Sequence, residues 1–216
     1  MSLADDVQSD FKALIRSRLA GSQPQPVDRI TVPGGGDLPR LMRRFRIKRL
    51  IPAAVLVPII DRPEGLSLLL TRRAEDLKHH PGQISFPGGR LESTDAGPAA
   101  AALRETHEEV GLSAGRIEVI GYLDNYLTIT GYSVTPVVAM VRPGFDLKLD
   151  ATEVAEAFEV PLDYVLDSKR AQQRHSRFLG MRLPYFEIPY GEYNIWGATA
   201  GMLISLRRLL YEETRS

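Results

Sequence analysis

Apolar positions along the chain change period several times, and each change predicts an element. From Ala4 to Leu19, the residues Val7, Phe11, Leu14, Ile15 and Leu19 fall at helical spacing, which predicts an amphipathic helix. Gly21 to Arg40, with Pro24, Pro26, Pro33, Pro39 and Gly34-Gly35-Gly36, has the composition of a linker. The apolar runs Ala53 to Ile60 and Leu66 to Thr71 flank Pro63-Glu64-Gly65, which predicts a hairpin. Pro98 suits a first helical position, Ala99 to Leu103 are strong helix formers, and Gly111 suits a left-handed cap, so a helix is expected over Pro98 to Val110. Ile117 to Leu123 and Thr135 to Val141 predict strands, Glu156 to Val160 a further one, and Leu162 to Leu166 a short helix. Met181 to Pro189 alternates like a strand, and Ala198 to Tyr211 predicts a helix with Met202, Leu203, Leu206 and Leu210 facing inward. Strands interleaved with two main helices predict an α/β fold with a mixed sheet covered on both faces. Residues 1–45 are expected to form an arm and residues 46–216 the domain.

Within the helix expected at Pro98 to Val110, three carboxylates crowd one turn. Glu105 lies three residues before Glu108 and four before Glu109, a spacing that puts like charges on one helical face, where they repel. Hard oxygen ligands on a rigid element suit Mg²⁺ or Mn²⁺, held by one or two carboxylates together with substrate phosphates. Upstream, Gly88-Gly89 is expected to be a loop whose backbone approaches a ligand or metal closely, since neither residue has a Cβ.

The segment Gly89 to Leu112 resembles the Nudix box of the Nudix hydrolases. Arg104-Glu105-Thr106-His107-Glu108-Glu109-Val110-Gly111-Leu112 matches the second half of that pattern at every fixed residue, with Thr106 at its hydrophobic position. In the first half Asp95 stands where the pattern has Glu, and eight residues rather than seven separate it from Arg104, so a metal role for Asp95 does not carry over. These departures resemble the coenzyme A pyrophosphatase branch. Leu69 to Gly89 is similar to the extra motif of that branch, through Thr71, Arg73, Leu77, His80, Gly82, Gln83 and Phe86-Pro87-Gly88-Gly89. Ile195-Trp196-Gly197-Ala198-Thr199-Ala200 resembles another of its segments.

The resemblance implies a Nudix-type α/β/α sandwich and a metal-dependent diphosphate hydrolase that splits coenzyme A or its derivatives into 3′,5′-ADP and 4′-phosphopantetheine. It implies Glu105 and Glu109 as Mg²⁺ or Mn²⁺ ligands, Glu108 as auxiliary ligand or base, and the Gly88 carbonyl as a backbone ligand. Arg104 is expected to orient the carboxylates, and Arg73, Gln83, Phe86 and Gly89 to meet substrate. Glu153 is a further acidic candidate. Arg72 and Lys78 read as surface charge, and His80, Tyr193 and Trp196 as turn or packing residues. The other readings are a Nudix hydrolase for ADP-ribose, a dinucleotide or capped RNA, and a nucleotide-binding protein without catalysis.

Composition narrows the partners. In 216 residues, 27 basic groups balance 27 acidic ones, so nothing pulls the chain toward nucleic acid or a membrane surface. No apolar run reaches a membrane span, no secretory signal is legible, and a cytoplasmic enzyme is expected. Absence of cysteine excludes disulfides and thiol catalysis. A homodimer through the amphipathic N-terminal helix is a further expectation.

Overall fold

A computed structural model describes residues 3–31, 42–43, 47–77, 80–178 and 181–211. Pro33, Gly34-Gly35-Gly36 and Pro39 of the expected linker, and Lys78 and His79 of the upstream motif, lie outside the described residues.

The hairpin forms where the hydrophobic pattern puts it, as β2 (Ile51–Arg62) and β3 (Gly65–Arg73), with Arg62 opposite Gly65 across the turn. Along β2 and β3 alternate residues face opposite sides, and both sides are covered: Val57, Ile59, Leu68 and Leu70 enter one core, Leu56, Ile60 and Leu69 the other. Strand β8 (Tyr132–Val141) pairs parallel to β2, while β6 (Ile117–Tyr122), β7 (Asn125–Leu127) and β9 (Val154–Pro161) join antiparallel to β8, β8 and β3. Short strands β1 (Ile30–Thr31), β4 (Ile84–Ser85) and β5 (Gly88–Arg90) complete a mixed nine-stranded sheet. Gly88 and Gly89, expected in a loop, therefore sit in a strand, because Val55 and Ala54 of β2 supply the ladder partners that glycine's weak strand preference does not.

Helix α2 (Pro98–Val110) covers one face of the sheet. On the other lie α1 (Leu3–Leu19), α3 (Leu162–Leu166) and α4 (Gly197–Tyr211), together with an antiparallel three-stranded sheet, β10 (Gln172–Phe178), β11 (Met181–Tyr190) and β12 (Tyr193–Trp196). This is the expected α/β/α sandwich.

The N-terminal helix is more than an appendage. Ile15 and Leu19 are 0% and 1% exposed in the main core, and Gly121 of β6 comes so close that a Cβ there would lie 2.8 Å from Leu19 O. Lys12 reaches Asp61 at 2.8 Å and Arg16 reaches Glu118 at 2.6 Å. Ile15 and Leu19 of the apolar stripe that suggested a homodimer are thus used inside this chain, while Val7 at its start stays 69% exposed. Among the described residues no helix is long and apolar enough to cross a membrane.

Candidate metal centre and active site

Helix α2 can approach the sheet closely because its contact residues are small. Ala101 and Ala102 are fully buried against Ala54, Leu56, Val137 and Ala139. Thr106, where a hydrophobic residue was expected, is 0% exposed and donates its hydroxyl to Ala102 O at 2.6 Å, so the polar atom is satisfied within the helix. At the C-terminal end Gly111 takes φ +71° and its N–H caps His107 O.

That close approach sets the next turn of the helix onto β5. Gly88 N–H donates to Glu109 Oε2 at 3.2 Å, and Glu109 is only 5% exposed. Gly89 lies under Glu105, where a Cβ would collide with the carboxylate. Gly88 is held at φ +151° with the backbone of Ala54 and Val55 where a Cβ would stand.

Along that turn the three glutamates differ in depth. At roughly 100° per residue, Glu108 falls to one side of Glu105 and Glu109 to the other. The side chain of Glu108 is 56% exposed and that of Glu105 18%, while Glu109 faces Gly88. Arg104 ties the outer pair together, with Nη1 donating at 3.0 Å to both Glu105 Oε1 and Glu108 Oε2. Its Nε and Nη2 grip Asp95 at 3.1 and 3.0 Å, and Nη2 also reaches Arg90 O at 3.2 Å. Asp95 is therefore the anchor of Arg104, and that guanidinium holds its carboxyl below the usual range, helped by the Glu92 N–H. Sequence reasoning missed this role; an acid nine residues before an arginine predicts no contact until the β5–α2 connection folds back.

Burial pushes the Glu109 carboxyl up to about 8; the Gly88 N–H and Arg73 pull it down, and the charges of Glu105 and Glu153 push it further up. Burial also raises Glu105, against the pull of Arg104. A carboxyl so enclosed, with one backbone donor and like charges as neighbours, holds its proton unless a cation lies beside it. Among the described residues no three His, Cys, Asp or Glu side chains converge closely enough to hold a metal ion by themselves. Two carboxylates with room for substrate oxygens fit Mg²⁺ or Mn²⁺, which rarely takes an all-protein cage. Glu153, exposed on the approach to β9, faces both Glu105 and Glu109 electrostatically.

The upstream motif forms the neighbouring wall. Arg73 N–H donates to Gln83 O at 3.1 Å and Gly82 N–H to Arg73 O at 3.2 Å, which closes the loop between them. Gly82 takes φ +64° with the Glu75 carboxylate packed over it. Arg73 makes no ion pair within 4 Å among the described residues, and its charge acts on Glu109. Arg72, on the opposite face, is bound to Glu156 at 3.0 Å. Phe86, expected to meet substrate, is 2% exposed within the main core, so its side chain packs instead. The C-terminal segment arrives at the same wall: Thr199 Oγ1 donates to Ile84 O at 3.0 Å, and Gln83 Nε2 lies 3.6 Å from where a Gly197 Cβ would be.

The sequence profile of the NUDIX domain matches residues 50–179, more than half of the chain and all of the β5–α2 site. This chain belongs to the Nudix family. It is 41% identical over 162 residues to uncharacterized Nudix hydrolases NudL from Enterobacter sp. (strain 638) and Escherichia coli (strain K12), covering 71% of this chain and 80% of each relative. Among solved structures, the Nudix hydrolase RenU of M. smegmatis is 30% identical, covers 54% of this chain and 74% of its own, and superposes with a TM-score of 0.47. A C. elegans Ap4A hydrolase binary complex is 20% identical over 51% of this chain and 80% of its own, with a TM-score of 0.45. The Nudix match spans β2 to β10; α1 and α4, which pack against that body, lie outside it.

Proposed function

We propose that this Nudix chain hydrolyses the diphosphate of coenzyme A or a derivative, giving 3′,5′-ADP and 4′-phosphopantetheine. The observation that carries the reading is a juxtaposition. The two segments that resemble the coenzyme A branch, Leu69 to Gly89 and Ile195 to Ala200, lie far apart in sequence and meet through Thr199 and Ile84, and the first of them runs on to Gly88, whose N–H donates to Glu109.

Glu105 and Glu109 of α2 would hold Mg²⁺ or Mn²⁺, with Glu108 assisting and the Gly88 backbone completing the inner wall. When bound, such an ion offsets the charge of the diphosphate and makes a water molecule acidic enough to be a nucleophile near neutrality. Arg73, whose guanidinium forms no ion pair among the described residues, takes a phosphate oxygen. Gly89, having no side chain, lets the diphosphate reach Glu105, and Gln83 stands on the adjoining wall. Water forms a new bond to phosphorus, the bond from phosphorus to the bridging oxygen breaks, and the proton of the attacking water passes to a carboxylate. Glu108 is that acceptor: it is the most exposed of the three, and Arg104 holds it in place. Glu153 is the second carboxylate on hand.

Mass spectrometry of products after incubation with coenzyme A, ADP-ribose, NADH and a diadenosine polyphosphate, each with Mg²⁺, Mn²⁺ or chelator, tests this directly. Metal-dependent release of 3′,5′-ADP and 4′-phosphopantetheine, with coenzyme A preferred in competition, is expected. Faster cleavage of another diphosphate removes the coenzyme A specificity, and no cleavage of any of them removes the hydrolase reading.

A further inference from the structure

A helix leaves its last carbonyls without partners inside the helix, and at the end of α2 Gly111 N–H covers that of His107. The carbonyls of Glu109 and Val110 are met from a segment far along the chain, with Asp150 N–H donating to Glu109 O and Lys148 N–H to Val110 O, both at 2.9 Å. Leu147 and Leu149 pack beside Val110 and Leu112 and hold that segment against the helix. The main chain of the buried glutamate is therefore tied to Asp150.

At Asp150 the chain also turns back toward the site. Asp150 Oδ1 accepts the Thr152 N–H at 2.9 Å and the Thr152 hydroxyl at 2.7 Å, while the Asp150 carbonyl accepts the N–H groups of Glu153 and Val154 at 3.0 and 2.8 Å. Glu153 O then accepts Ala74 N–H at 2.9 Å, one residue beyond Arg73. The β3–β9 ladder shifts here: Arg72 stands opposite Glu156 but Arg73 opposite Val154, so Ala155 is an extra residue that brings Glu153 one step nearer Arg73. Bulges of this kind re-aim the side chains beside them. The charges of Glu153 and Arg73 both act on Glu109, and that of Glu153 also on Glu105. One exposed aspartate thus joins the backbone of Glu109 to Glu153 and, through Ala74, to Arg73.

We propose that Asp150 is a positioning residue for the metal centre, its turn with Thr152 setting Glu153 and Arg73 at working distance from Glu109. This rests on the hydrolase reading for its chemistry but not on coenzyme A as the substrate. In this role Asp150 acts through the acceptor geometry of its turn and not through its charge. An asparagine supplies the same acceptor on a side chain of the same length without the charge, whereas a glutamate keeps the charge one methylene further out.

Asp150→Ala, Asp150→Asn and Asp150→Glu separate the turn from the charge. Each full-length protein is titrated calorimetrically with Mn²⁺ and assayed for kcat and KM on the diphosphate that the wild type cleaves fastest, with melting in chelator as the check on folding. Asp150→Ala is expected to lose roughly tenfold in Mn²⁺ affinity and roughly tenfold in kcat, since small displacements at such a site are costly. Asp150→Asn should restore both and Asp150→Glu neither, and all three should melt close to the wild type because Asp150 is exposed. Thr152→Val, which removes one bond of the turn, should show a smaller loss of the same kind and Thr152→Ser none; this pair decides the matter if Asp150→Ala melts early. Rescue by glutamate but not asparagine would assign the charge itself to the metal and overturn the positioning role, as would wild-type Mn²⁺ affinity and kcat in Asp150→Ala. A wild-type protein that binds Mn²⁺ yet cleaves no diphosphate overturns the hydrolase reading alone, and the affinities then decide the role of the turn. One that binds no Mn²⁺ overturns both.

Discussion

At Glu109, stability opposes the role proposed for it. The side chain is buried against Gly88 in the field of Glu105 and Glu153, and its carboxyl is pushed up to about 8. In the unfolded chain a glutamate titrates near ~4.3. Between those values the folded protein keeps a proton that the unfolded protein has lost, so this residue's contribution is fully present at low pH and is lost as pH rises through about 8. Metal-free protein should therefore melt at lower temperature at pH 9 than its Glu109→Gln variant, with the difference shrinking by pH 6 and gone near pH 4. The same substitution should lower hydrolysis at least ~100-fold, on the scale of losing one preorganised electrostatic contact. Calorimetry across pH and a turnover assay read the two effects separately. Identical melting of both proteins at every pH would show that the buried charge carries no strain, and wild-type turnover would remove Glu109 from the mechanism.

Whether an element could be read from the sequence depended on where its partners lie. Helix α2 and the short helix α3 occupy the expected residues, and β2, β3 and β8 differ only at their ends, because local period and caps specify them. Strands β1, β4, β5, β7, β10 and β12 were not foreseen. Gln172 to Phe178 begins Gln-Gln-Arg-His-Ser-Arg with no apolar alternation, and becomes a strand only through its ladder with β11. Gly88–Arg90 becomes one only through β2. The site divides in the same way. Spacing puts Glu105, Glu108 and Glu109 on one turn and the Nudix resemblance implies Glu105 and Glu109 as ligands, whereas the outward turn of Glu108, the grip of Asp95 on Arg104 and the burial of Phe86 all depend on which surface packs over which. Helix α2 lays the Glu105 and Glu109 carboxylates directly on the bare backbone of Gly88 and Gly89, which makes Gly89→Ala an element-scale test. The added Cβ runs into the Glu105 carboxylate and must push the helix or the carboxylate away. Metal affinity and turnover are expected to fall by roughly 10²-fold, since small displacements at such sites are costly. Gly115→Ala is the control, with its nearest atom 3.8 Å away and no change expected. Equal activity of the two variants, followed by isothermal titration with Mn²⁺, would show that α2 does not need the bare β5 backbone.

For the whole molecule, the question is where the folding unit begins. Hydrophobic pattern and linker composition separate residues 1–45 from the rest, and the Nudix match likewise starts at residue 50. Packing draws the line elsewhere: Ile15 and Leu19 are buried in the same core as Leu68, Val138 and Leu203, and β1 pairs with β7. Burying each of those two side chains is worth about 1.5–3 kcal/mol, so removing α1 forfeits on the order of 5 kcal/mol. That is comparable with the whole stability of an ordinary domain, about 5–15 kcal/mol. The ion pairs of α1, Lys12–Asp61 and Arg16–Glu118, are partly exposed and together contribute only ~1 kcal/mol or less. Apolar burial therefore dominates, and the two contributions predict different salt dependence. A chain of residues 46–216 is expected to melt far below the full-length protein, and the gap should persist in 1 M salt, where surface pairs are screened. Ile15→Ala in the intact chain should cost about 2–5 kcal/mol by itself. A fragment that melts with the full-length protein would make α1 an accessory after all, and a gap that closes in high salt would show that its charges, rather than Ile15 and Leu19, attach it.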